Sequence, residues 1–209
     1  MKVIFSLAIL TIFLMLIGCK KQDNPVPDID LHTAVLTDNL EVIRQHIKAG
    51  SDLNVVEPTR ESTPLITAAA LGRPEAAEIL IEGGADINYQ NADGSTALHT
   101  AIAFSKTELA EILIDAGIDL NIKNNYGSTA LHTAAFFCNT EVVKALLENG
   151  ADKTLMNSNY KTAYDIVEPP FEDAKDAYDV VGERLKPLGI TLEYEHIKKS
   201  RPIIAEMLK

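Results

Sequence analysis

Tryptophan is absent from this chain of 209 residues, cysteine occurs twice, and aromatic residues make up only 6% of it. Two thiols cannot build a disulfide scaffold, so the fold must rest on packing. Basic residues are also short, with 19 Lys and Arg against 30 Asp and Glu and a net charge of −11. A body this acidic is repelled by phosphate backbones and anionic headgroups, which argues against a nucleic-acid partner. Catalytic strings are missing as well: there is no Gly-rich phosphate loop, no His-Glu-x-x-His and no Gly-x-Ser-x-Gly elbow. Yet 46% of the residues are apolar, too many for a disordered chain. The length suits one domain with a sizeable core.

What is present begins at the N-terminus. Met1-Lys2 is followed by Val3 to Ile17, in which only Ser6 and Thr11 interrupt the apolar residues. A membrane-spanning helix needs about 20 apolar residues, so this run is short for an anchor and fits a signal-peptide core. Leu16-Ile17-Gly18-Cys19 then resembles the lipobox of bacterial lipoproteins. That resemblance implies removal of residues 1–18 and acylation of Cys19, leaving a mature chain without Lys2 and with a net charge of −12. The plainer alternative is an ordinary signal peptide or uncleaved anchor. Several acyl chains hold firmly because each buried CH₂ contributes about 0.8 kcal/mol. Lys20 at the second mature position resembles lipoproteins sorted to the outer membrane. Residues 19–27 form a polar, Pro-bearing tether with a reach of roughly 30 Å.

The body repeats with a fixed period. Gly94 to Ala101 and Gly127 to Ala134 both read GSTALHTA, and Thr63, Thr96, Thr129 and Thr162 stand 33 residues apart. A second signature keeps step: Gly50-Ser51-Asp52-Leu53-Asn54 returns from Gly84, Gly117 and, more loosely, Gly150. These residues resemble the ankyrin repeat, whose period is about 33 with a T-P-L-H-x-A start. The resemblance implies an all-α solenoid of helix-turn-helix units joined by β-turn loops. The units run approximately 28–57, 58–90, 91–123 and 124–156, with a degenerate cap over 157–188 and a tail over 189–209.

Local chemistry fits such units. The recurrent Thr caps a short Ala-rich helix, and a second helix opens on Glu41, Glu75, Glu108 or Glu141, where an acid meets the positive end of the helix dipole. Gly50, Gly84, Gly117 and Gly150 fall where a left-handed residue ends a helix. No unit buries its own apolar face, so the end units are expected to have polar outer sides. The fifth unit departs most, with Tyr160 for the turn Gly, Tyr164 for Leu, Asp165 for His, and Pro169-Pro170. Phe171, Ala174, Tyr178, Val181, Leu185 and Leu188 then form one stripe of a capping helix. In the tail, Ile190, Leu192 and Tyr194 alternate as in a strand, and 202–209 reads as a short amphipathic helix. It folds onto the last unit as an extended cap or serves as a docking peptide.

The resemblance also sorts the candidate site residues. His99 and His132 lie one period apart and read as structural, bonded to the neighbouring Thr and backbone; a column one repeat apart is too wide for a single zinc. Asp52, Asp86, Asp119 and Asp152 read as turn residues. Cys138 is a small shielded residue, with no base or cation beside it in sequence to activate the thiol. No metal or cofactor is expected. Partners of ankyrin repeats are gripped by turn tips and by the last positions of the first helix. Here these are Arg60, Asp93, Ser95, Tyr126 and Ser128 at the tips, and Leu71, Phe104, Phe136 and Phe137 on the helices. Leu71, Phe104 and Phe137 share one column, which predicts an apolar strip unless the rings fold down into the core.

The sequence thus predicts a monomeric, lipid-anchored ankyrin-repeat protein of the bacterial envelope that binds another protein without catalysis. The outer membrane facing the periplasm is the expected location, and the acidic body favours a basic partner. A dedicated inhibitor or immunity protein that blocks an enzyme or toxin is the rival reading. An enzyme, the third, requires a polar cluster near Cys138 or His196.

Overall fold

The computed structural model describes residues 25–209. The signal-like segment 1–18, Cys19 and the start of the tether lie outside the described residues. Within them are eleven α-helices: α1 (Leu31–Leu36), α2 (Leu40–Ala49), α3 (Pro64–Leu71), α4 (Pro74–Glu82), α5 (Ala97–Ala103), α6 (Thr107–Asp115), α7 (Ala130–Phe136), α8 (Thr140–Glu148), α9 (Ala163–Val167), α10 (Phe171–Leu185) and α11 (Tyr194–Leu208). No strand occurs among the described residues.

The odd-numbered helices α1 to α9 stack in an inner row, and α2, α4, α6 and α8 form an outer row behind them. Small side chains let the inner row close. Ala68, Ala101, Ala134 and Ala163 are at most 1% exposed and keep neighbouring backbones near each other. Asp30 caps α1, and each later inner helix starts on its Thr. Thr63, Thr96 and Thr162 accept bonds from the N–H of Ile66, His99 and Asp165, at 3.4, 3.5 and 3.3 Å. Asp165 stands where the other units have His and still completes the reciprocal cap, accepting the Thr162 N–H at 2.8 Å. Each outer helix has its Glu in the first turn, as the dipole favours.

Polar bonds tie unit to unit at the turns. The Asp52, Asp86 and Asp119 carboxylates accept from the backbone N–H of Asn54, Asn88 and Asn121. Each Asn carbonyl oxygen then accepts from the next unit's Asp N–H, at 2.8, 2.9 and 3.0 Å. At the tips, Ala92 N–H donates to Arg60 O, Asn125 N–H to Asp93 O and Ser158 N–H to Tyr126 O. That close approach requires glycine at Gly127, where φ is +70° and a Cβ would lie 2.6 Å from Ser158 N. Tyr160 sits one period later at φ 57°, strained but 85% exposed and beyond the last tip contact.

The C-terminal region differs from the sequence reading. The outer position of the fifth unit is taken by α11, which packs on both α8 and α9, so residues 194–208 complete the solenoid. Helix α10 is an insertion between the two helices of that unit. The alternation at Ile190, Leu192 and Tyr194 forms no strand, because Tyr194 already opens α11. Pro202 lies inside α11 rather than at a helix start; it and Lys198, whose carbonyl it frees, are both exposed to solvent. Arg201 fastens the arrangement. Its guanidinium, 2% exposed, donates to Tyr178 Oη at 2.9 Å, Ile166 O at 3.0 Å and Pro169 O at 2.6 Å.

The stripe on α10 divides accordingly. Phe171 and Tyr178 are buried, Val181 and Leu185 are half-buried, and Leu188 is exposed. The first unit is no polar cap either. Leu31, Ala34 and Val35 face inward, and Val26, Ile29 and Leu36 are exposed among the described residues.

Tyr160→Gly is expected to stabilise the protein by about 0.5–1 kcal/mol, because removing the left-handed Cβ outweighs the added chain entropy. Gly127→Ala, in the same column, is expected to cost at least about 1 kcal/mol. Thermal unfolding of the two variants should shift in opposite directions; a shared direction removes the strain argument.

Candidate functional site

Residues spaced by the repeat period arrive side by side on the inner face. The tips contribute Arg60, Asp93 and Tyr126, and the ends of α3, α5 and α7 contribute Leu71, Phe104 and Phe137. Together they line a groove of about 820 Å³. All nine residues singled out in the sequence lie along it: Arg60, Leu71, Asp93, Ser95, Phe104, Tyr126, Ser128, Phe136 and Phe137.

Their states differ. Tyr126 and Leu71 are open to solvent, at 66 and 41% exposure. Phe104 and Phe137 are half-buried. Phe136 is committed elsewhere: its ring stacks on Tyr178 at 4.7 Å and meets Phe137 edge-on at 5.2 Å. It stands in the column of Ala70 and Ala103, and the larger side chain there gives α10 its foothold. Arg60 and Asp93 pair across adjoining units at 3.1 Å, and both are too exposed for the pair to add much stability. The Glu57 carboxylate is held below its ordinary range by N–H donors of its own turn, Thr59 foremost.

Beneath the groove lies a row of histidines. His99 Nε2 lies 3.0 Å from Ser128 O and Nδ1 3.0 Å from Thr96 Oγ1, while His132 repeats this with Lys161 O and Thr129. Each ring therefore links its own cap to the following tip. Burial lowers the pKa of both, that of His99 to about 4. Among the described residues no group of three His, Cys, Asp or Glu is placed to hold a metal.

A cluster does form around Cys138. Its thiol lies 3.8 Å from Tyr178 Oη, which donates to Phe136 O, and His196 Nε2 lies 3.2 Å from Cys138 O. The thiol and Tyr178 are both 0% exposed, and burial pushes both pKa values up. The imidazole faces the backbone carbonyl instead of the sulfur. Such a cluster holds α10 and α11 to α7 and offers neither an activated nucleophile nor an opening to substrate.

Sequence reasoning missed the wall at the C-terminal end of the groove, where Val181, Arg184 and Leu185 of α10 line it. Their helical spacing was visible, but not that the helix folds over the inner face.

A family model for ankyrin repeats in three copies matches residues 31–124 and 84–157, more than half of the chain. The chain belongs to the ankyrin-repeat family. Ankyrin repeats suggest a protein–protein interaction module and a non-catalytic role. Residues of this ankyrin-repeat protein are 36% identical over 77 positions to the ARF GTPase-activating protein Git of Drosophila melanogaster, covering 37% of this chain and 10% of that protein. They are 42% identical over 64 positions to protein phosphatase 1 regulatory subunit 27 of Mus musculus, covering 31% of this chain and 41% of that one. The chain thus spans less than half the length of either relative.

Because the folded pKa of His99 lies below the unfolded value, the folded state loses stability as pH falls from about 6.5 to 4, by up to about 3 kcal/mol from this group. His99→Gln is expected to be less stable at neutral pH but to lose about 2–3 kcal/mol less on acidification. Urea unfolding at both ends of this range measures it. An unchanged acid sensitivity assigns the loss to other groups.

Proposed function

We propose that this ankyrin-repeat protein is held to the bacterial envelope by acyl chains on Cys19 and displays its groove to a partner protein. The observation carrying the reading is the column Leu71, Phe104 and Phe137, an apolar strip rimmed by polar tips along one groove. Half-buried aromatics in a pre-ordered trough are favourable anchors, since little ordering is needed on binding. The acidic body adds attraction for a partner with a basic surface. Among the described residues no helix is long and apolar enough to cross a membrane; in this reading the acyl chains on Cys19 supply the attachment. Lys20 supports placement on the outer membrane, facing the periplasm.

The name of the mouse relative, a phosphatase regulatory subunit, favours a second reading in which the groove restrains an enzyme or toxin. One tight, slowly dissociating partner and protection in a growth assay distinguish that role from general display.

Cys19→Ala is expected to abolish incorporation of labelled fatty acid and leave unprocessed precursor; undiminished label removes the anchor. Combining Phe104→Asp with Phe137→Asp should reduce recovery of the partner, crosslinked in the native envelope, by at least about tenfold, with the melting temperature within about 3 °C of the parent. A large drop in melting temperature makes the two rings core and moves the binding face elsewhere.

A further inference from the structure

Helix α10 lines the C-terminal end of the groove. Because α10 is inserted between the two helices of the fifth unit, Val181 and Leu185 stand as an apolar wall after the Phe137 position. An extended segment running along Leu71, Phe104 and Phe137 must stop at this wall or turn out of the groove.

Four formally charged side chains line the groove, namely Glu57, Arg60, Asp93 and Arg184. Three are already engaged. The Glu57 carboxylate accepts the N–H groups of Thr59 and Arg60 at 2.7 Å and of Ser62 at 3.2 Å. Arg60 pairs with Asp93. On α10 itself, Lys175 pairs with Asp179, and Glu183 pairs with Lys186. That leaves Arg184, exposed and without a carboxylate partner among the described residues. A guanidinium beside an apolar wall is suited to a carboxylate, which it grips through two parallel N–H···O bonds.

A chain terminus meets both conditions at once, since it ends and it carries a carboxylate. We propose that the groove takes the apolar C-terminal tail of a partner polypeptide, with its terminal carboxylate on Arg184. The proposal rests on the groove reading above and names what the groove selects. Acidic side chains along the tail are disfavoured by the acidic body, −12 for the mature chain, so the recognised tail is apolar and its one anion is terminal. A basic partner body fits the same field.

The test passes a library of synthetic peptides with randomised final residues over the immobilised full chain, once with free carboxylates and once as C-terminal amides. Retained peptides should end in aliphatic or aromatic residues and bind at least about tenfold more weakly as amides. Arg184→Gln should remove that difference while leaving the melting temperature unchanged, because Arg184 makes no ion pair to lose. Retention that requires Phe104 and Phe137 but ignores amidation, or a difference that survives Arg184→Gln, overturns the carboxylate assignment and leaves the groove reading standing. If no peptide is retained, the tail proposal falls, and partner recovery in the envelope then judges the groove separately.

Discussion

A helix of seven residues flanked by alanine has no interior of its own; its core exists only where another such helix lies against it. Everything else in the structure follows from meeting that need at each step of the stack. The period must hold, because a slip would move Ala101 or Ala134 off the neighbour that covers it. Hydrophobic burial supplies the attraction but is indifferent to register. Register comes from directed bonds: the Asn side chain reaching the next Asp N–H, the His ring reaching the next tip, and one tip's N–H on the previous tip's carbonyl. The apolar and polar layers therefore do different jobs, and neither alone gives a groove of fixed shape.

That fixed shape turns a sequence column into a surface. Positions one period apart are neighbours in space, so substitutions at equivalent places add up instead of scattering. Leu71, Phe104 and Phe137 form a strip for this reason. The same rule makes exceptions informative. Phe136 falls where the two earlier units have alanine, and the ring departing from the pattern is the one on which Tyr178 and α10 are seated. Cys138 and Arg201 gather behind it as a buried fastening, with the guanidinium supplied by the last helix and the exposed His196 at its edge.

Much of this was legible in advance. Helical units, their Thr caps, their histidines and the residues along the groove could be read because each recurs, and recurrence reports geometry without coordinates. Asp165 shows how far such reading extends: it departs from the His at that place yet performs the same capping bond. What was hidden lies where the period stops. After Thr162 nothing repeats, so Ile190, Leu192 and Tyr194 offered only local alternation, which α11 overrides by packing on α8 and α9. The inward lean of α10 was equally invisible, since an apolar stripe says that a helix face is covered but not by what. Arg184 went unremarked because an exposed arginine becomes informative only when its surroundings are known.

The manner in which α10 is attached has a mechanical consequence. Both of its ends run into helices of the same unit, so it is pinned like a staple and has no free terminus from which to peel away. A clasp of this kind resists displacement by whatever enters beside it. Its outward residues are nevertheless absent from the bonds that set the stacking register. The shape and charge of the stop can be altered there independently of the frame that supports it.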